Sequence, residues 1–494
     1  MSPDPSLDHP HLARRLRARL AELNYSAEAI AEALGTTEET ANRQAGRQVH
    51  ARLLEPLGAF GTLVRLFALS HPVPTDQAAA ALAPLGVDDL LLLGLAAAGD
   101  DGLLQPLLRL MPHEHLVLAC DLPLQPGVPP AADHVPAVQN PSVALAQLTV
   151  RRPGSLLDLG TGLGVLALLG ATHADRVLAT DLNPHAVRLA AFSAQLNDLA
   201  VVECRQGSWF EPLAGERFDT IVCNPPYVIS PVSEFIYRDS GLSGHSVSEQ
   251  IVRELPAHLA DDGMASVQIS WIADPDGDLS APVRDWLRDS GCDAILLHHA
   301  TDTPLQAAVR WNPPDPTDPA RQQQRIDQWL DYYAGLGIRG IAYGALVLRR
   351  RAGAHGLQTH ALPPQRLVQA SDHLLRLFAA QDLLAGADDD ALLARRLRVA
   401  PGVVVEQQLR FHPDDGRPRI RQMTLRIEDG IGFEAGLDPE VMFLLTQLGS
   451  APSLRAAFAQ AAARGGVADA DAYARAGLPM LRRMVALGFL AAAD

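Results

Sequence analysis

The stretch from Ser155 to Tyr227 restricts the fold of this chain more than any other part of the sequence. It contains four hydrophobic runs, with a glycine-rich turn after the first, Asp181 at the end of the second and an Asn-Pro-Pro-Tyr tetrad after the fourth. Small residues between a strand and a helix allow a sharp turn, and the helix N-terminus then offers unpaired N–H groups to a ligand. The stretch therefore predicts a fold that binds a nucleotide-like cofactor.

Seven hydrophobic runs alternate with helical patterns from Ser155 to about Arg350. They read SLLDL, RVLATD, VVEC, FDTIVCN, MASVQIS, DAILLH and IAYGALVLR. Strands that alternate with helices predict an α/β fold with a Rossmann-like, mostly parallel sheet of seven strands. Cofactor and substrate are then expected at the carboxyl ends of the strands.

The glycine turn runs from Gly160 to Gly164 with the sequence GTGLG. Val165 stands where the dinucleotide fingerprint GxGxxG requires its third glycine, so the turn argues against an NAD-dependent dehydrogenase. Asp158 lies two residues before the turn. Its carboxylate either faces an ammonium group of the ligand, directly or through water, or hydrogen-bonds the amides of the turn.

Two more groups are expected at the same edge of the sheet. Asp181 ends the second run, where an acid can accept hydrogen bonds from both hydroxyls of a ribose, and Asn183 is expected to cap the next helix. After the third run, Ser208 can hydrogen-bond the edge of an adenine. Trp209 or Phe210 either packs on the adenine face or belongs to the core.

The tetrad Asn224-Pro225-Pro226-Tyr227 ends the fourth run. The side-chain oxygen of Asn224 and the carbonyl of Pro225 can both accept protons from one planar NH₂ group, and Tyr227 can stack on that group. The prolines restrict the backbone, so the two acceptors stay in place. The tetrad therefore predicts a site that orients a planar nitrogen.

Composition excludes several other classes of protein. A length of 494 residues predicts two to four domains, and a formal net charge of -16 argues against broad electrostatic binding to nucleic acid. The four cysteines form no CxxC pair, so we expect free thiols in the cytoplasm and no metal site. No signal peptide is recognisable, and the most apolar run is too short to cross a membrane.

Three domains are predicted along the chain. Residues 1–135 are expected to form a helical domain, residues 136–352 the cofactor-binding domain and residues 365–494 a smaller α+β domain that resembles a winged helix. In the first, Ser26 and Gly35 are expected to begin and end one helix. In the last, Asp414-Asp415-Gly416 predicts a β-hairpin. An interaction or substrate-orienting role is favoured for this last domain.

Three segments outside the runs bear on the site. The Pro-rich stretch from Pro123 to Pro141 predicts a linker, and Asn140, Pro141 and Ser142 are candidates for contact with the cofactor cleft. The polar segment from Pro231 to Ser246 follows the tetrad, where a substrate-shaping loop is expected. A second Asn-Pro-Pro begins at Asn312 and does not follow a strand-like run, so it predicts an ordinary loop.

The segments DLGTGLG, ATDLNPHAV and NPPY together resemble the class I S-adenosylmethionine-dependent methyltransferases, in the branch that methylates planar amino or amide nitrogens. This branch includes release factor glutamine methyltransferases and enzymes that act on amino groups of nucleic acid bases. The resemblance covers about residues 140–350. The segment from Arg238 to Leu242 is also similar to the Asp-Gly-Leu segment of the glutamine branch, with Ser240 inserted.

The resemblance implies S-adenosylmethionine as cofactor, a cofactor site around the glycine turn and an acceptor site at the tetrad. With the adenine-edge residues, the candidate cofactor residues are Asp158, Gly160, Thr161, Gly162, Gly164, Asp181, Leu182, Ser208, Trp209 and Asn224. The candidate catalytic residues are Asn224, Pro225, Pro226 and Tyr227.

The sequence therefore favours an N-methyltransferase that acts on a protein, a peptide or a small molecule. A nucleic acid base methyltransferase is the first alternative, and the net charge disfavours it. A non-catalytic module that binds the cofactor and interacts with partners is the second, and the intact tetrad disfavours it. The sequence leaves open the acceptor, the oligomeric state and the role of the terminal domains.

Overall fold

The computed structural model describes residues 3–36, 47–124, 131–232, 243–314, 318–362 and 367–493. The chain divides into two compact units. The first comprises residues 1–146 and 151–360, and the second comprises residues 147–150 and 361–494. Because the first unit includes both sides of the predicted boundary at residue 135, the three-domain division stays a prediction.

In its described residues, the N-terminal part of the first unit combines helices with five short strands. The helices are Pro10–Glu22, Ala27–Leu34, Arg47–Leu54, Gly58–Leu63, Thr75–Leu82 and Val87–Leu92. The strands are β1 (Val73–Pro74), β2 (Ala96–Ala98), β3 (Leu103–Pro106), β4 (Arg109–His113) and β5 (Leu116–Cys120). The sequence predicted only helices here. The strands were missed because they are short and rich in Ala and Leu, so their pairing depends on tertiary contacts.

The expected helix between Ser26 and Gly35 is confirmed. Ser26 Oγ accepts a hydrogen bond from the backbone N–H of Ala29 at 3.2 Å, which caps the first turn. Gly35 ends the helix at a φ of 66°, a left-handed conformation that glycine adopts easily.

The central sheet of the first unit contains all seven predicted strands and one more. Its strands are β6 (Ser155–Leu159), β7 (Arg176–Asp181), β8 (Val202–Gln206), β9 (Phe218–Cys223), β10 (Leu259–Ala273), β11 (Cys292–Asp302), β12 (Gly340–Arg350) and β13 (Leu357–Ala361). They lie in the order β13-β11-β12-β10-β9-β6-β7-β8. The five strands from β6 to β10 pair in parallel, and β12 runs antiparallel to its two neighbours. The extra strand β13 lies at the edge of the sheet.

Helices cover the sheet and connect its strands. They are Asn140–Gln147, Val165–Gly170, Pro184–Leu196, Ser246–Glu254, Ala281–Trp286, Pro304–Trp311 and Pro319–Gly335. One continuous hydrophobic cluster joins Leu16 and Leu20 of the N-terminal segment to Leu189 and Phe192 of the sheet-covering helix Pro184–Leu196. The N-terminal segment therefore packs directly against the helix Pro184–Leu196, which follows β7.

The second unit contains the predicted hairpin and further helices. Its strands are β14 (Leu397–Val399), β15 (Val403–Phe411), β16 (Pro418–Ile427), β17 (Glu434–Leu437) and β18 (Leu490–Ala492), and β15 and β16 pair antiparallel around the Asp-Asp-Gly turn. Its helices are Ser371–Ala385, Asp389–Ala394, Pro439–Leu448, Leu454–Arg464 and Ala470–Ala486. Among the residues described in both units, no helix has the length and apolar character that crossing a membrane requires.

Candidate functional site

A cavity of about 410 Å³ lies at the carboxyl ends of four neighbouring strands, β8, β7, β6 and β9. Its volume is typical of pockets that hold small ligands. The chain passes from β6 to β7 on one side, whereas β9 lies on the other side of β6, so the strand order changes direction here. Ligands of open α/β sheets bind at such a point, and the predicted location of the site is therefore consistent with the sheet.

The glycine turn lines one wall of the cavity. Gly160 and Gly162 have φ angles of 76° and 55°, which favour glycine, and an added Cβ at either would meet no atom within 4 Å. Gly164 also has a positive φ, of 93°, and a Cβ there would lie 3.0 Å from Cβ of Ala190. The first two glycines therefore shape the backbone beside the cavity, while the third lets two helices approach closely.

Asp158 lies beneath the turn and is fully buried. Its Oδ2 accepts hydrogen bonds from Thr161 Oγ1 at 2.6 Å and from the backbone N–H of Ala167 at 3.0 Å. Burial raises the pKa of Asp158 to about 7, although these two hydrogen bonds oppose the rise. Asp158 holds the turn and is not among the residues that line the cavity, so its direct contact with a ligand stays a prediction.

Asp181 lines the cavity at the end of β7. Its Oδ2 accepts a hydrogen bond from the backbone N–H of Gly162 and its Oδ1 one from the backbone N–H of Asn183, both at 2.8 Å. Burial raises the pKa of this carboxyl group, and the backbone donors oppose the rise. Asn183 caps the following helix as predicted, because its Oδ1 accepts from the backbone N–H of His185 at 3.0 Å. Leu182, between them, lines the cavity and is 56% exposed.

The predicted adenine-edge residues separate in the structure. Ser208 and Trp209 line the cavity. Phe210 instead stacks on the ring of His258, with 4.6 Å between ring centroids, and belongs to a buried hydrophobic cluster. Trp209 is therefore the aromatic residue available to a ligand, and Phe210 takes the core position that the sequence left open.

A second wall of the cavity comes from the segment between the N-terminal part and β6, which we call the strap (residues 131–142). The strap residues that line the cavity are Ala132, His134, Val135, Pro136, Ala137, Val138, Gln139 and Ser142. Of the three predicted contacts, only Ser142 is among them, and Asn140 and Pro141 are not. The residues before Asn140 were missed because nothing in a Pro-rich sequence specifies which side of it faces a ligand.

Hydrogen bonds attach the strap to the sheet and to the N-terminal part. Asn183 Nδ2 donates to the carbonyl of Asp133 at 2.8 Å, and the backbone N–H of Val135 donates to Asp121 Oδ2 at 2.7 Å. The ring of His185 contacts Asp121 Oδ1 at 2.8 Å and Asp4 Oδ1 at 2.7 Å. Burial lowers the pKa of His185, but the two aspartates outweigh it, so the pKa is raised. Asp121, which is buried, therefore links the strap to His185 of the helix Pro184–Leu196.

Asn224 lies at the end of β9 and lines the cavity. Its Nδ2 donates a hydrogen bond to Ser142 Oγ at 3.0 Å. Its Oδ1 is buried, and within the part of the chain that the structure describes no donor reaches it. A buried amide oxygen without a donor costs free energy unless a ligand supplies one, so Asn224 Oδ1 is the clearest indication of a bound N–H group.

The other three residues of the tetrad take different positions. Pro226 lines the cavity, whereas Pro225 and Tyr227 do not. The carbonyl of Pro225 accepts a hydrogen bond from the backbone N–H of Tyr227 at 2.8 Å, which leaves its second lone pair for another donor. Ser270 on β10 donates its hydroxyl to the carbonyl of Tyr227. Asn224 and Pro226 therefore face the cavity, and the neighbouring strand β10 fixes the end of the tetrad at Tyr227.

Comparisons with known proteins identify the central part of the chain. The family described as Methyltransferase small domain matches residues 139–267, and two domains of unknown function match residues 22–106 and 376–492. Residues 139–267 form a methyltransferase domain. The expected class I methyltransferase core, its resemblance to the release factor glutamine methyltransferase branch and its cofactor class, S-adenosylmethionine, are thereby confirmed.

Relatives of this chain include release factor glutamine methyltransferases. That of Xylella fastidiosa (strain Temecula1) is 34% identical over 182 residues, which are 34% of this chain and 62% of the relative. That of Escherichia coli (strain K12) is 36% identical over 115 residues, which are 20% of this chain and 41% of the relative. The chain therefore spans less than two thirds of the length of these relatives.

Solved structures similar to this chain include the YcgJ protein of Bacillus subtilis and a methyltransferase from Pyrococcus furiosus. The first has a TM-score of 0.29 and 16% identity, and covers 43% of this chain and 98% of its own. The second has a TM-score of 0.28 and 14% identity, and covers 43% and 82%. The fold assignment rests on the strand order and the family match.

Beyond the tetrad, the first unit holds an aromatic and charged cluster that the sequence did not predict. Trp311 Nε1 donates to the hydroxyl of Tyr343 at 3.3 Å, and the Arg310 guanidinium lies 5.8 Å from the centre of the Tyr343 ring. Arg310 also forms two hydrogen bonds with Asp302, at 2.7 and 2.9 Å. Burial, with Tyr343 nearby, raises the pKa of Tyr227 to about 12. Apart from Tyr227, the residues of the cluster come from β11, β12 and the helix Pro304–Trp311, so they meet only in the folded chain.

Two predicted loops have different outcomes. Asn312 follows the helix Pro304–Trp311 and donates from Nδ2 to the carbonyl of Ala308 at 2.8 Å, so the second Asn-Pro-Pro lies in a loop as expected. The segment from Pro231 to Ser246 lies largely outside the described residues, as does the segment from Arg238 to Leu242. Its role as a substrate-shaping loop stays a prediction.

Proposed function

We propose that this protein is an S-adenosylmethionine-dependent N-methyltransferase whose acceptor is the side-chain amide of a glutamine in a protein. One observation carries the proposal: Asn224 Oδ1 is buried at the end of β9 without a donor from the described residues. The atom lies on a residue that also lines the cavity. An N–H group of an acceptor would satisfy this oxygen and would lie next to the cofactor.

The residues around the cavity fit S-adenosylmethionine. Asp181 would accept hydrogen bonds from the ribose hydroxyls, because each of its oxygens has capacity beyond the backbone donor that it already holds. Ser208 and Trp209 would bind the adenine edge and face. Gly160 and Gly162 would allow the ligand to approach the backbone closely. The cofactor would supply an electrophilic methyl group on a sulfonium.

The tetrad would orient the acceptor. Asn224 Oδ1 and the free lone pair of the Pro225 carbonyl would accept the two N–H protons of the acceptor amide. These two hydrogen bonds would free the lone pair of the amide nitrogen from conjugation with the carbonyl. Holding the nitrogen in line with the electrophile supplies much of the rate enhancement, as fixed geometry does in general. Asn224 and Pro225 would hold the nitrogen towards the methyl group that the cofactor supplies, and the N–H proton would pass to solvent once the nitrogen is methylated. No strong general base is needed, because a nitrogen that gains positive charge becomes acidic.

A protein acceptor is favoured over a nucleic acid for two reasons. The relatives with a matching domain are named for methylation of a glutamine. A net charge of -16 disfavours binding to a polyanion. The proposal includes a cytoplasmic location, since the four cysteines are all free thiols.

The experiment that tests the proposal is incubation of the full chain with methyl-labelled S-adenosylmethionine and a fractionated lysate of the source organism. We expect label in a protein fraction, and mass spectrometry of the digest should find methylated glutamine. Asn224→Ala should abolish the labelling and leave the affinity for S-adenosylhomocysteine within about threefold, because one neutral contact is lost. Asn312→Ala is the matched control from the second Asn-Pro-Pro and should label like the wild type.

Two outcomes contradict the proposal. Wild-type labelling by Asn224→Ala would remove the tetrad from the chemistry. Label that enters RNA or DNA instead of protein would show that the acceptor is a nucleic acid base, and the gel shift of that nucleic acid should then weaken with salt.

A further inference from the structure

Ser142 is the strap residue that touches the tetrad. It lies in the first turn of the helix Asn140–Gln147 and lines the cavity, and its Oγ accepts the hydrogen bond from Asn224 Nδ2 at 3.0 Å. The two residues are 82 positions apart in the chain. The side-chain nitrogen of Asn224 is therefore hydrogen-bonded to the strap, and its side-chain oxygen has no protein donor among the described residues.

We infer that Ser142 is a positioning residue for methyl transfer, because it holds the Asn224 side-chain amide with the oxygen facing the acceptor. The inference rests on the proposed function and adds a residue to it. An Asn side chain is nearly symmetric in shape, so rotation by half a turn would exchange its oxygen and its NH₂ group. The rotated side chain would turn its NH₂ group towards the N–H groups of the methyl acceptor, and no hydrogen bond could form between them.

Ser142 favours the productive orientation when an acceptor is bound. In that orientation Asn224 Nδ2 donates to Ser142 while Oδ1 accepts from the acceptor, so both ends of the amide are satisfied. In the rotated orientation the two NH₂ groups would oppose each other. Without the Ser142 hydroxyl, the productive orientation would leave a buried N–H group unpaired, and an unpaired buried donor is costly. The hydroxyl therefore stabilises the orientation that catalysis needs.

The backbone around Ser142 is itself fixed. The backbone N–H of Ser142 donates to the carbonyl of Gln139 at 3.0 Å, and Gln268 Nε2 on β10 donates to the carbonyl of Pro141 at 3.2 Å. Gln268 lies on the strand next to β9, which carries Asn224. The Ser142 hydroxyl and the Asn224 amide are therefore held from adjacent strands, as a precise positioning contact requires.

The test compares Ser142→Ala with Ser142→Thr, which keeps a hydroxyl, in the full chain. Ser142→Ala should lower kcat for the acceptor about tenfold, whereas the dissociation constant of S-adenosylhomocysteine changes by less than about twofold. Ser142→Thr should recover most of kcat. Ser193→Ala is the matched control, because Ser193 Oγ accepts a backbone hydrogen bond from Ala119 at 3.0 Å and Ser193 does not line the cavity. Its kcat should equal that of the wild type.

A second readout does not depend on activity. In protein labelled with ¹⁵N-asparagine, the side-chain NH₂ signals that disappear in Asn224→Ala belong to Asn224. They should shift in Ser142→Ala and stay in place in Ser193→Ala. Unshifted signals, an unchanged kcat in Ser142→Ala or a parallel loss of cofactor affinity would each overturn the inference. A wild type that labels no acceptor would instead defeat the proposed function, and the NH₂ signals would still test the contact.

Discussion

The carboxylate of Asp181 accepts a hydrogen bond from the backbone N–H of Gly162 at 2.8 Å, so the end of β7 and the glycine turn after β6 are joined directly. The same carboxylate lines the cavity. Asp181 therefore shapes the turn, and we propose that the remaining lone pairs of its carboxylate also bind a ligand, a combination that sequence patterns treat separately. Loss of this side chain should affect both.

Asp181→Ala should weaken binding of S-adenosylhomocysteine by about 10- to 100-fold, because hydrogen bonds to a charged group contribute about 1.5–3 kcal/mol each. Calorimetric titration of the purified full chain measures this change. Asp175→Ala is the matched control, since Asp175 Oδ2 also accepts a backbone N–H, from Gly154 at 3.0 Å, and is exposed away from the cavity. Equal affinities in the two variants would exclude Asp181 from the ligand site.

Asp158 should make folding stability depend on pH with an unusual sign. Its pKa is about 7 in the folded protein because of burial, above the ordinary value of 3.8 that applies to the unfolded chain. Between about pH 4 and 7 the folded state therefore holds a proton that the unfolded state has lost, and the free energy of unfolding falls as pH rises through this window. Asp158→Asn cannot lose this proton. It should match the wild type near pH 4 and exceed it at pH 8 by about 1–3 kcal/mol in urea unfolding.

Asp219→Asn is a control that should change the free energy of unfolding at pH 8 in the opposite direction. The backbone N–H of Ser155 and its hydroxyl both donate to Asp219 Oδ2 at 2.8 Å, and the backbone hydrogen bond in particular lowers the pKa of Asp219. Its contribution to stability is therefore present above the ordinary pKa and is lost as pH falls, so Asp219→Asn should destabilise the protein at pH 8. The prediction for Asp158 fails if both variants change stability in the same direction at that pH.

The features that the sequence predicted correctly are encoded locally. The glycine turn, the cap at Asn183 and the hydrophobic runs each depend on residues that are near one another in the chain, so their patterns specify them directly. The contact of Ser142 with Asn224 depends on residues 82 positions apart, and a single sequence holds no signal for it. The same holds for the cluster of Asp302, Arg310, Trp311 and Tyr343, which β11, the helix Pro304–Trp311 and β12 bring together.

Asp158 shows a further limit of sequence patterns. An acid two residues before a glycine turn can face a ligand or the turn, and both arrangements have the same spacing. In the structure Thr161 and the amide of Ala167 both donate to Oδ2 of Asp158, so this oxygen holds the turn. This arrangement depends on the position of the following helix, Val165–Gly170. Gly164 permits this position because it can approach Ala190 closely.

Comparing Gly160→Ala with Gly215→Ala should separate the loss of folding stability caused by backbone strain from the loss of ligand affinity. Gly160 and Gly215 have φ angles of 76° and 78°, and an added Cβ would meet no protein atom within 4 Å at either position. Alanine at either should therefore destabilise the fold by about 1–2 kcal/mol, the cost of a left-handed residue. Of these two glycines, Gly160 lines the cavity and Gly215 does not. Gly160→Ala should therefore also weaken S-adenosylhomocysteine binding by about tenfold or more, and Gly215→Ala should not. Thermal unfolding and calorimetry measure the two effects, and a similar affinity loss in Gly215→Ala would contradict the prediction.

Trp209 should report ligand binding through its fluorescence. It is the tryptophan that lines the cavity, whereas Trp271, Trp286 and Trp329 are buried in hydrophobic clusters of the described residues. Titration with S-adenosylhomocysteine should change the emission of the wild type. Trp209→Phe should lose that change and keep the affinity within about threefold, because a phenyl ring can still stack on adenine.

Trp209→Ala removes the stacking surface and should weaken binding about tenfold, in the range measured for stacking of one base on an aromatic residue. Trp286→Phe, altered in the core at 3% exposure, should keep the full emission change. If Trp209→Phe kept it as well, the ligand would bind away from Trp209, and the adenine would have to be placed elsewhere in the cavity.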